Sequence, residues 1–127
     1  MLLGNLIFCS ALFRREDWQA VGGYKSSMAA GYEDWDFWLS LIGRGREVQR
    51  IPKTLFRYRV KECSMAASMD WRVKAEMHHR IMLNHRDLYL ENMKPLLELY
   101  YRMTGSRPYR LLKRLGMIRR LNRLWGG

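Results

Sequence analysis

Cysteine is scarce. Cys9 and Cys63 are the only two in 127 residues, so no disulfide framework organises the fold, and the pair agrees with a reducing compartment. No apolar run reaches the roughly 18 residues that a membrane-spanning helix needs. The apolar stretch Leu2–Phe13 has about the length of a secretory h-region. It lacks a preceding Lys or Arg, is interrupted by Asn5, and is followed by no small-x-small cleavage site. It reads as a buried strand in a cytoplasmic protein. Internal repeats and low-complexity segments are missing too. Five Trp and seven Tyr, with 48% apolar residues, exclude a chain that stays disordered over most of its length.

Acidic residues are absent from the last 28 positions. The chain has 23 Lys+Arg against 12 Asp+Glu, a formal charge of +11. Residues 1–70 carry ten basic and eight acidic side chains, and residues 71–99 carry five and four. Residues 100–127 carry eight basic and no acidic ones, so the excess belongs to the tail, which is where a polyanion would be met.

Hydrophobic patterning predicts an α/β chain of short strands with flanking helices. Gly4–Ser10 reads as a strand covered on both faces, with Leu6-Ile7-Phe8-Cys9 continuous and Cys9 in the core. A helix is expected over Arg14–Val21, stopped by Gly22-Gly23. Another is expected over Glu33–Gly43, where Phe37 and Leu41, and Trp38 and Ile42, are spaced i,i+4. Glu47–Ile51 and Thr54–Val60 read as strands around Pro52. A helical pattern runs from about Asp70 to Met103, with Pro95 at a new start or kink. Thr104–Pro108 is a break, and Tyr109–Trp125 reads as a final basic helix. Two parts follow, 1–68 and a helical extension 69–127.

Chemistry concentrates in Gly31-Tyr32-Glu33-Asp34-Trp35-Asp36-Phe37-Trp38. Three carboxylates lie within four residues at the mouth of a predicted helix, flanked by aromatics. A carboxylate at a helix start is oriented by backbone N–H groups and stays ionised, as a general base must. Trp and Tyr offer flat apolar faces of the kind a sugar ring stacks on. The same residues also fit a solvated, acid-rich helix start with core aromatics.

Read together with its neighbours, this stretch resembles the C-terminal, acceptor-side half of a family 2 glycosyltransferase of GT-A fold. The resemblance covers residues 4–68. It takes in the strand Gly4–Ser10, Leu12-Phe13-Arg14-Arg15, and Val21-Gly22-Gly23-Tyr24, similar to a "vGGf/y" turn. The segment Gly31–Leu39 resembles "gyEDwdfwlr". Ile51-Pro52 with Phe56-Arg57-Tyr58-Arg59 resembles an "ip..l..YR" strand, and Ser64 and Ser68 occupy the loop after it.

The resemblance implies inverting transfer of a sugar from a nucleotide-sugar to an acceptor hydroxyl, in cell-surface glycan synthesis. Asp34 would be the general base and Glu33 would support it. Tyr32, Trp35 and Trp38 would line the acceptor side. The family's nucleotide-binding half, with the Asp-x-Asp that holds Mg²⁺ or Mn²⁺ on the diphosphate, has no counterpart here, so ligands for that ion would lie mainly outside this chain. Asp34-Trp35-Asp36 is formally an Asp-x-Asp string, but it stands in the acceptor-side motif. Where many members place a metal-assisting His after the "YR" strand, this chain has Lys61, which cannot ligate a metal while protonated. The chain then reads as part of a larger enzyme, inactive alone. The alternative is a non-catalytic, truncated module that binds membrane or another polyanion through its basic helix.

Other residues carry weaker signals. His78 and His85 share a helix face but stand about 10 Å apart along the axis, and neighbours His78 and His79 diverge by about 100°. They read as surface or packing histidines, and no metal site is assigned. In the tail, Leu111, Leu115, Ile118 and Trp125 fall on one face and Lys113, Arg119, Arg120 and Arg123 mostly on the other. This pattern fits residues 109–125 on the anionic inner face of a membrane. It equally fits a helix docked on its own domain, and no recognised reader motif supports nucleic-acid binding.

Overall fold

The structure, a computed structural model, describes residues 1–57 and 69–118. Two compact units form, Met1–Tyr89 and Leu90–Gly127. The helices are α1 (Arg15–Ala20), α2 (Glu33–Gly43), α3 (Trp71–Asn84), α4 (Arg86–Glu91), α5 (Met93–Thr104) and α6 (Arg107–Arg114), with a 3₁₀ turn at Ser26–Met28. None of them is long and apolar enough to cross a membrane.

The first unit is built around α2. Trp35, Asp36, Phe37, Trp38, Leu39 and Leu41 are all buried, so this helix is covered nearly all round. Phe37, Trp38 and Leu41 pack against Met1, Ile7, Ala11 and Val21. The Phe13 ring meets Phe37 at 4.9 Å between centroids and Trp38 at 5.7 Å. From α3 and α4, Met77, Ile81 and Tyr89 are buried as well. Asp70 caps α3 by accepting from Arg72 N at 2.6 Å. Arg46, just past α2, closes on Asp17 of α1 at 2.7 Å and so ties the two helices together.

The expected α/β arrangement of short strands is not what forms, because no strand occurs among the described residues. A strand persists only where a neighbour completes its backbone ladder. At the N-terminus side chains take that role. Trp35 Nε1 donates to Met1 O at 2.8 Å, and Tyr89 Oη donates to Leu2 O at 2.6 Å. Asn5 accepts from Ile7 N through its own side chain, and Ala11 N donates to Phe8 O, which bends the segment twice. Met1, Ile7, Ala11 and Phe13 of this stretch pack on the core, while Leu6 is 78% exposed and Cys9 lies on the surface, not inside. Glu47–Ile51 is likewise irregular and exposed. So is the described part of Thr54–Val60, while Tyr58, Arg59, Val60, Lys61, Cys63, Ser64 and Ser68 lie outside the described residues.

The helices expected at Arg14–Val21 and Glu33–Gly43 form over Arg15–Ala20 and Glu33–Gly43. The pattern from Asp70 is divided at His85 and Asn92, and Pro95 stands in the first turn of α5, where its missing N–H costs no hydrogen bond. The basic tail is not one continuous helix from Tyr109: α6 ends at Arg114 and a turn through Gly116 follows, with Gly116 N donating to Lys113 O. Residues 119–127, Trp125 among them, lie outside the described residues.

The turn after α1 has a sharp steric requirement. Gly23 adopts φ +70°, and a Cβ there would stand 2.6 Å from Trp18 Cζ2. Gly23→Ala is expected to cost about 1–3 kcal/mol in a thermal or urea unfolding measurement. Gly22→Ala, with φ +77° but open space around it, should cost less.

Candidate functional site

The acidic segment enters α2 through a strained turn. Tyr32, the residue before the helix, has φ 65° and ψ 17° and provides no side-chain cap. It is the only non-glycine residue with positive φ among the described residues. An aromatic side chain in the left-handed region costs about 1–2 kcal/mol, which the surrounding packing must offset. Gly31 before it is buried at φ +130°, and a Cβ there would stand 2.8 Å from Met69 Cε.

The turn sets the three carboxylates on different courses. Glu33, the first helical residue, is exposed. Asp34 is half-buried. Its Oδ1 accepts from Trp35 N at 2.8 Å, one of the N–H groups that a helix start leaves without an intrahelical partner. Its Oδ2 accepts from Asn5 Nδ2 at 3.0 Å. Among the described residues no cation pairs with it within 4 Å. The Tyr24 phenol lies near this pair: burial raises its pKa first, and the charges of Asp34, Glu33 and Cys9 raise it further. Tyr24 therefore remains a hydrogen-bond donor at neutral pH.

Asp36 turns the other way, as its place two residues further along a helix requires. It is 1% exposed. Oδ1 accepts from Asn84 Nδ2 at 2.8 Å and lies 2.9 Å from His85 Nε2, while Oδ2 lies 3.0 Å from Lys25 Nζ. Burial acts to raise the pKa. The hydrogen bonds from His85, Asn84 and Lys25, with the His85 charge, outweigh that and bring it down to about 2. Asp36 is thus a structural carboxylate. Because Asp34 and Asp36 serve separate partners, the Asp34-Trp35-Asp36 string does not converge on one ion. Among the described residues no group of three or more His, Cys, Asp or Glu side chains is placed to hold a metal.

The aromatics expected on the acceptor side lie deeper than a sugar platform requires. Trp35 and Trp38 are each 4% exposed. The Trp35 ring is flanked by Tyr32 at 5.5 Å and His78 at 4.9 Å. Trp38 belongs to the core beside Phe13 and Phe37, and its indole N–H has no partner among the described residues. Tyr32 is the half-exposed member of the set.

His78 and His85 both point inward, His78 Nε2 lying 3.2 Å from Leu2 O. Sequence reasoning assigned no site role to Asn5, Tyr24, Lys25, Asn84 or His85. Asn5 lies 29 residues from Asp34 in the chain, and no local spacing signals a long-range partner. Comparison with protein-family models, curated proteins and solved structures gives no match to the chain.

Proposed function

We propose that Tyr32–Asp34 forms the acceptor-side wall of a sugar-transfer site, with Asp34 as the general base that takes the acceptor proton. The observation that supports this reading is the state of the Asp34 carboxylate. It is half-exposed, held in orientation by Asn5 and the Trp35 N–H, and paired with no cation among the described residues. A base must combine fixed position with access to the reacting hydroxyl, and neither exposed Glu33 nor enclosed Asp36 does so. Tyr32 and Tyr24 border the carboxylate and would meet the acceptor. The backbone strain at Tyr32 falls at this same point, as strain at functional turns does.

The reaction would be inverting transfer from a nucleotide-sugar to a glycan or lipid-linked hydroxyl, of the hexosyltransferase type and within glycan biosynthesis. The residues here do not fit a diphosphate-bridging Mg²⁺ or Mn²⁺: Asp36 has its oxygens occupied by three protein partners. The donor would be held by groups outside this chain, and no step is routed through that ion.

The test is transfer of labelled sugar from a panel of UDP-, GDP- and dTDP-sugars to glycan and lipid-linked acceptors. The protein is purified from its own cells with the polypeptides that accompany it. Transfer that disappears in Asp34→Asn supports the reading, and transfer that persists in Asp34→Asn at the wild-type rate overturns it.

A further inference from the structure

Among the described residues of the second unit, α5 and α6 touch each other yet bury no residue: neither contributes a single buried side chain. Both are nonetheless amphipathic. Along α6, Arg107, Arg110, Lys113 and Arg114 occupy one arc of the wheel, and Pro108, Tyr109, Leu111, Leu112 and Leu115 the other. Tyr109 and Leu112 are half-buried, while Leu111 and Leu115 stay exposed beside the arginines. Arg107, Arg110, Arg114 and Leu111 line a shallow groove of about 380 Å³. On α5, Lys94, Glu98 and Arg102 form a polar stripe, and Leu97, Tyr100, Tyr101 and Met103 lie exposed off it, Tyr101 at 67%. The Tyr100 and Tyr101 rings pack edge to face, 5.3 Å apart. Ser106 fixes the turn between the helices: its hydroxyl donates to Met103 O at 2.7 Å and accepts from Tyr109 N.

We infer that the α5–α6 hairpin is an interfacial docking element for an anionic lipid bilayer. This inference is independent of the sugar-transfer reading. Charge complementarity selects the partner, since no acidic side chain occurs between residues 99 and 118 and three guanidinium groups line one groove. A guanidinium matches a phosphate oxygen pair in two parallel hydrogen bonds. The interleaved apolar groups then decide between polyanions. Leu111 and Leu115 beside the arginines would enter the boundary between headgroups and acyl chains, where Tyr rings also settle. A nucleic-acid backbone offers those leucines no apolar phase.

The experiment is sedimentation of the full chain with phosphatidylcholine vesicles, with and without phosphatidylglycerol. Binding is expected to be at least about tenfold tighter to the anionic vesicles. The variant Arg107→Gln/Arg110→Gln/Arg114→Gln should bind them about a hundredfold more weakly, as each cation near an anionic surface is worth about fivefold. Leu111→Ser/Leu115→Ser should lose about tenfold, and its residual binding should vanish as salt is raised. Circular dichroism checks helix content, and where the serine variant loses helix the arginine series decides alone. Equal affinity for both vesicle types, or wild-type affinity in the glutamine variant, overturns the inference. So does binding that a single-stranded RNA displaces while both serine changes leave it unaltered, because the surface would then be a nucleic-acid contact.

Discussion

Asp36→Ala is expected to lower the stability of the first unit by about 3–5 kcal/mol in urea unfolding. The carboxylate is buried and anchors Lys25 from one part of the chain and the adjacent Asn84 and His85 from another. Removing it leaves a cation and two polar groups facing a cavity, and breaking a buried pair from one side costs about that much. Lys25→Met should cost far less, because Lys25 is about a third exposed and the carboxylate keeps its other two partners. The double variant Lys25→Met/Asp36→Leu should recover part of the loss, since no charge is then stranded, and a double-mutant cycle measures the coupling. The pH dependence follows from the lowered pKa. The folded state holds Asp36 ionised down to about pH 2, whereas the unfolded chain protonates near its ordinary 3.8. The stabilisation is therefore fully present above about pH 4 and is lost as pH falls through 4 towards 2, by roughly 2 kcal/mol. Unfolding curves at neutral and acid pH should show that loss in the wild type and not in Asp36→Leu.

Asp34→Asn should separate activity from stability in the opposite sense. As general base its loss should reduce transfer by about 10²–10⁴-fold. Its structural contacts are one side-chain hydrogen bond and one helix-start N–H, so stability should fall by less than about 1 kcal/mol. Asn5→Ala should give a smaller loss of rate with unchanged donor affinity, because it frees the carboxylate without removing it. A variant pair in which Asp34→Asn unfolds the protein and Asp36→Ala abolishes transfer without unfolding it would reverse the assignment of the two carboxylates.

The parts legible in the sequence are those whose cause is local. The helix over Glu33–Gly43 follows from i,i+4 apolar pairs and an acidic first turn, and it forms over those residues. The stop after α1 follows from two glycines, and the helical pattern expected from about Asp70 starts at Trp71, where the structure adds the Asp70 cap. What failed was the translation of short apolar runs into strands. Leu6-Ile7-Phe8-Cys9 has the composition of a buried strand, yet nothing within the run states whether a neighbour exists to complete its ladder. Here Trp35 and Tyr89 take the carbonyls of Met1 and Leu2 ahead of the run, and within it Ile7 N turns to the Asn5 side chain and Phe8 O to Ala11 N. The described part of the strand expected over Thr54–Val60 is irregular as well.

The candidate site divides along the same line. Helical geometry alone separates Asp36 from Asp34, and the sequence alone places the excess positive charge in the last 28 residues and excludes a disulfide scaffold. Which carboxylate is available was decided by tertiary contacts. Asp36 is satisfied by side chains 11, 48 and 49 residues away, and Asp34 is oriented by one 29 residues upstream. Trp35 and Trp38, which look like a stacking platform in the sequence, are enclosed because α2 is buried on nearly every face. Local pattern fixes charge, helix and turn because each depends on residues within a few positions. Burial, strand pairing and the choice among neighbouring carboxylates depend on what the rest of the chain brings against them, and only the folded structure contains that.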